Sequence, residues 1–134
     1  MANAIYPKWK EALIQGSANT SLTGTVKAVF LDTADEAYSA ADTFLSDVTG
    51  AGIVGTAQTL ANKTFVNGTL DADDVTFTAV SGDQSEAILI YIDTGVGATS
   101  RLVAFLDTGY TGLPVTPSGG NITITWAAGG IFTI

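Results

Sequence analysis

Residues 86–93 read EAILIYID, and residues 101–107 follow with RLVAFLD. Successive side chains of an extended chain point to opposite faces. Ile88, Ile90 and Ile92 therefore share one face, and Leu89 and Tyr91 share the other. The second run is equally apolar on both sides. The two are expected to pair as an antiparallel hairpin across the eight-residue loop Thr94–Arg101. Strands apolar on both faces belong at the centre of a sandwich, or of a sheet covered on both sides.

Working outward, Asn121–Trp126 (NITITW) alternates cleanly, with Ile122, Ile124 and Trp126 expected inward and Thr123 and Thr125 outward. Gly129-Gly130 then turns the chain into a last run, Ile131–Ile134. A strand there is expected to pair or lie covered, because a bare strand edge invites aggregation. Upstream, Thr25–Asp32 reads as a strand, and so do Thr56–Leu60, Lys63–Val66, Thr69–Asp71 and Val75–Val80. Asn67-Gly68 is a strong signal for a two-residue hairpin turn. Short strands at intervals near ten residues predict a mainly β fold, an antiparallel β-sandwich. Residues 1–134 form one domain on this reading, with no linker and no internal repeat.

Two segments break the pattern. Residues 1–16 carry a short N-terminal α-helix: Pro7 suits the first turn, Lys8–Gln15 are good helix formers, and Gly16 is a natural stop. Tyr6, Trp9, Leu13 and Ile14 recur at helical spacing. So short an amphipathic helix needs a surface to lie on, either its own sandwich or another subunit. Residues 33–52 form a long excursion with one helical turn near Asp42–Asp47 and three large anchors, Tyr38, Phe44 and Leu45. Long loops of this kind are often functional. Tyr6, Trp9, Leu13, Tyr38, Phe44 and Leu45 are therefore the candidate partner contacts.

Composition narrows the chemistry. Charged residues make up 13% of the chain, about half the usual share, so the surface is expected to consist of Thr, Ser, Gly, Ala and Asn, or else to be covered in part by other protein. Without cysteine or histidine there is no disulfide or thiolate metal site, and the commonest general base is missing. The formal net charge is −8. Residues 1–30 hold Lys8, Lys10 and Lys27 against Glu11, and the remaining residues hold Lys63 and Arg101 against twelve carboxylates. Binding to nucleic acid or to an anionic membrane is not expected of so acidic a body. Neither a signal peptide nor a membrane-spanning stretch is expected, so the protein is expected to be soluble and made in the cytoplasm.

Three arrangements were weighed as sites. Asp71, Asp73 and Asp74 could offer oxygen ligands to calcium, although an acidic turn is the simpler account. Asp93 and Asp107 end neighbouring strands and could approach each other as a hydrolytic pair. Gly95-Val96-Gly97 lacks the following helix and lysine of a phosphate loop. The four Asn-x-Ser/Thr triplets, at Asn19, Asn62, Asn67 and Asn121, carry no weight in a chain this rich in threonine and serine. No cofactor and no enzymatic activity are expected.

The strings ANAIYPKWKEALIQG, FLDTADEAYSAADTFLSD, LDADDVTFTAVSGDQSEAILIYIDTG, ATSRLVAFLDT and GLPVTPSGGNITITWAAGGIFTI cover most of the chain. They resemble a family of small virion structural proteins of tailed bacteriophages. The resemblance implies residence in a virion after synthesis in the host cytoplasm, many copies per particle, and a protein–protein role. The partners it implies are the major capsid protein or another virion protein, together with homo-oligomerisation. A capsid decoration or cement protein fits this best. The alternatives are a tail, neck or fibre-associated protein, and a host-surface or carbohydrate-binding module using loop aromatics such as Tyr110.

Overall fold

A computed structural model describes residues 3–108 and 113–134; Tyr110 lies outside them. In chain order the elements are β1 (Ala4–Ile5), α1 (Pro7–Gln15), β2 (Val26–Leu31), β3 (Ile53–Thr59), β4 (Thr64–Val66) and β5 (Thr69–Asp71). They continue with β6 (Val75–Phe77), β7 (Ala87–Ile92), β8 (Arg101–Leu106), β9 (Ile122–Ile124) and β10 (Phe132–Thr133). Strand accounts for 35% of residues and helix for 12%, so the fold is mainly β with one helix near the N-terminus.

The expected hairpin forms: β7 and β8 pair antiparallel, with Ile88 opposite Leu106 and Ile92 opposite Arg101. β2 flanks β7 on its other side, Val26 opposite Ile92 and Leu31 opposite Ala87. The resulting five-stranded antiparallel sheet has the order β1-β8-β7-β2-β3. Every residue of β7 is buried. Val103 is the extra residue where the β7–β8 register shifts. Its carbonyl accepts the Tyr6 N–H at 2.9 Å, so the bulge anchors the entry to α1.

The two faces of this sheet are covered differently. Register puts Phe30 on the face of Ile88, Ile90 and Leu106. There Phe30 meets Phe77 of β6, ring centroids 4.3 Å apart. On the same side β10 approaches, since Ile131 and Phe132 line a cleft with Ile5 and Leu106. The covering strands form two small sheets, β10-β5-β4 and β6-β9. On this side the layering is sheet on sheet, as a sandwich requires, although the cover is divided.

The opposite face carries Val29, Leu89 and Phe105. Its cover is the 33–52 excursion. Tyr38 packs on Phe105 at 5.5 Å between centroids and on Tyr6 at 5.1 Å. The excursion holds two 3-10 turns, Leu45–Asp47 and Gly50–Gly52, the first within the expected helical stretch. A symmetric pair of sheets is therefore replaced by a sheet with strands on one side and a largely irregular layer on the other.

Local chemistry explains the boundaries. Pro7 opens α1, and Gly16 closes it with φ 67°, its N–H bonding the carbonyls of Ala12 and Leu13. The β4–β5 turn is Asn67-Gly68 with φ 53° and 77°, the left-handed pair that matches strand twist. Asn19 and Asn62 also adopt positive φ, which asparagine tolerates better than most residues. In β9 the alternation holds at Ile124 and Trp126, both buried, whereas Ile122 is half-buried. Replacing Ile124 or Trp126 by alanine should lower stability by about 2–5 kcal/mol, read as a clear drop in thermal midpoint; an unchanged midpoint for both would contradict this packing.

Candidate docking surface

Four of the six candidate contacts serve the fold itself. Trp9 is 2% exposed. Its Nε1 donates to the Thr20 carbonyl at 2.9 Å, and its ring meets Phe132 edge-on at 6.1 Å. Tyr6 is 1% exposed; burial pushes its hydroxyl pKa up, and Asp42, Tyr38 and Glu36 push the same way. Tyr38 is half-buried between Tyr6 and Phe105. Leu45 is half-buried against the core, its N–H donating to the Ser100 carbonyl at 2.8 Å. The expectation that Tyr6 and Trp9 offer partner surface is thus corrected, because a short helix beside an apolar sheet gains most by burying its largest side chains at home.

Phe44 is half-buried beneath the Arg101 guanidinium, whose carbon lies 5.0 Å from the ring centroid. Arg101 Nε also donates to the Ala18 carbonyl at 2.9 Å, so one cation joins the excursion to the segment after α1. Leu13 adjoins a larger apolar surface, which the buried Trp9 also borders. It lines adjoining depressions with Leu22, Phe65, Ile14 and Ile134. Ile14 is 87% exposed, Ile134 59% and Phe65 49%, and the exposed Lys10 sits at the margin. These side chains form an exposed apolar patch.

Sequence reading missed most of this patch. Ile14 recurs with Tyr6, Trp9 and Leu13 at helical spacing, but the nine-residue α1 buries Trp9 and Ala12 and leaves Ile14 exposed. Phe65 read as an ordinary strand residue.

The acidic candidates are engaged locally. Asp71 Oδ1 accepts the Ala72 N–H at 2.9 Å, Asp73 Oδ2 accepts Asn62 Nδ2 at 2.6 Å, and Asp74 Oδ1 accepts the Trp126 N–H at 3.0 Å. Trp126 Nε1 donates to the Asp73 carbonyl at 3.0 Å, so this turn fixes the tryptophan. Among the described residues the acids that gather are instead Asp32, Asp35 and Asp83, with carboxylate oxygens within 4.8 Å of one another. Such a group could hold a hard cation; its buried member, Asp32, accepts the Ala34 N–H at 2.9 Å. Asp93 and Asp107 do not converge. The antiparallel register sends them to opposite ends of the β7–β8 hairpin, separated by roughly 3.3 Å per residue along the strand. Asp93 pairs with Lys27 at 3.2 Å, and the Gly95 N–H followed by Lys27 holds its pKa below the ordinary carboxylate value.

No helix among the described residues is long and apolar enough to cross a membrane. Compared with known proteins, the chain matches no family model and no curated protein.

Asp47 gives a pH-dependent test of the excursion. Its Oδ2 accepts the N–H groups of Phe44 and Thr43, each at 2.9 Å, which lowers its pKa. A depressed carboxylate stabilises the fold above its unfolded value, and that contribution is lost as pH falls through the folded value. Asp47→Ala should cost about 1 kcal/mol at neutral pH, and the gap from the parent protein should close on acidification, as followed by urea unfolding at a series of pH values. For Trp9→Ala a loss of about 3–5 kcal/mol is expected, seen in the same unfolding curves.

Proposed function

We propose that the chain is a non-enzymatic structural protein of a tailed-phage virion, acting as a capsid decoration protein that binds the major capsid protein. The observation that carries this reading is the apolar surface of Leu13, Ile14, Phe65 and Ile134 on a molecule otherwise poor in charge. Burying apolar area is the main source of association free energy, and interface cores are depleted in charged side chains. The resemblance to small virion proteins supplies the setting. The acidic balance of residues 31–134 supports a protein partner over packaged nucleic acid, which would repel it.

The protein works by contact on this reading. α1, β4 and the residue after β10 bring the patch together, and each copy adds the same favourable contact across a repeating lattice. Particle copy number tests it: a stoichiometry matching the capsid lattice is expected, while about six or twelve copies, the symmetry of a tail or neck, would overturn it. Ile14→Asp should leave the thermal midpoint unchanged and weaken particle binding about tenfold or more, as loss of a contact worth at least 1.4 kcal/mol would. Full binding by that variant in a particle pull-down would remove the patch from the contact.

A further inference from the structure

The free edge of β4 specifies a partner more closely than its apolar side chains do. Backbone hydrogen bonding in an antiparallel pair alternates along each strand. Phe65 lies opposite Leu70, and the Leu70 carbonyl turns away from β4 to accept the Ile131 N–H at 2.7 Å. Phe65 and Leu70 are therefore a non-hydrogen-bonded pair. Phe65 presents its own N–H and C=O outward, on the side where β4 has no neighbouring strand among the described residues.

Proteins usually guard such an edge with charge, proline or a bulge. Thr64, Phe65 and Val66 are all exposed and carry none of these. The adjacent cation is drawn off: Lys63 Nζ donates to the Leu22 carbonyl at 2.7 Å and to the Gly24 carbonyl. Residues 48–70 contain no carboxylate, so in a chain of net charge −8 two copies can meet here without opposing acids.

We propose that β4 pairs antiparallel with β4 of a second copy, about a two-fold axis at Phe65. Phe65 of each copy donates its N–H to, and accepts from, Phe65 of the other, while Thr64 lies opposite Val66. The two three-stranded sheets become one of six strands. The Phe65 rings meet across the axis and join the two apolar patches. This names the self-contact surface of the assembly role above and rests on that reading for its setting, yet it is tested apart from particles.

The test uses the full chain in sedimentation velocity over a concentration series. A dimer is expected. Phe65→Pro should abolish it, because proline removes only the outward N–H at this position and is tolerated on an edge strand. The control Val96→Lys, at a 57% exposed site in the β7–β8 loop, should leave the dimer intact. If Phe65→Pro fails to fold, Phe65→Cys decides: the parent chain has no cysteine, and oxidation should yield a disulfide-linked dimer, whereas Val96→Cys should form no covalent dimer. A parent protein that is monomeric throughout, or a dimer untouched by Phe65→Pro, would overturn the pairing. So would equal cross-linking at both cysteine sites. A monomer that still decorates particles would sink this inference alone, and a dimer that binds no particle would sink only the capsid reading.

Discussion

Three strands, β2, β7 and β8, are apolar on both faces, and the rest of the molecule answers that constraint. A sheet of this kind cannot face water on either side without losing most of its hydrophobic stabilisation. One face takes Phe77, Ile131 and Phe132 from the small sheets. The other takes Tyr38 and Tyr6. Even the acidic turn at Asp71–Asp74 serves this end, since it positions Trp126 beside the strands that cover the first face.

The covers differ because their sequences do. Alternating threonine and isoleucine in β9 can present one face and expose the other. The 33–52 excursion has no such period. It relies on single large anchors, with its backbone satisfied by side chains such as Asp47 and Glu36. Its length, which suggested a partner surface, is accounted for by the breadth of sheet it shields. Gly52 shows how close the layer lies: a Cβ there would collide with Glu36.

The strands were legible because alternation and turn chemistry are local. EAILIYID announced its place by having no polar face, Asn67-Gly68 announced its hairpin, and Pro7 and Gly16 bracketed the helix. The division of the covering sheet into two was not legible, since strand partners such as β6 and β9 lie far apart in sequence. The exposed apolar patch was legible in part. Leu13, Tyr6 and Trp9 share a helical spacing that marks an apolar face without saying whether it meets the sheet or another subunit; Tyr6 and Trp9 are core. Phe65 and Ile134 went unremarked, since exposure at an edge follows from which strand lacks a neighbour, a property of the assembled sheet.

The order of strands in the central sheet also bears on how the chain is made. β2 sits between β3, which follows it closely, and β7, which arrives roughly 60 residues later, and pairings so distant in sequence form slowly. A ribosome releasing this chain exposes VKAVFL well before its permanent neighbour exists. The central sheet can be completed only after β8 has been made, and until then the growing polypeptide exposes apolar strands with few charges of its own to keep it from its neighbours.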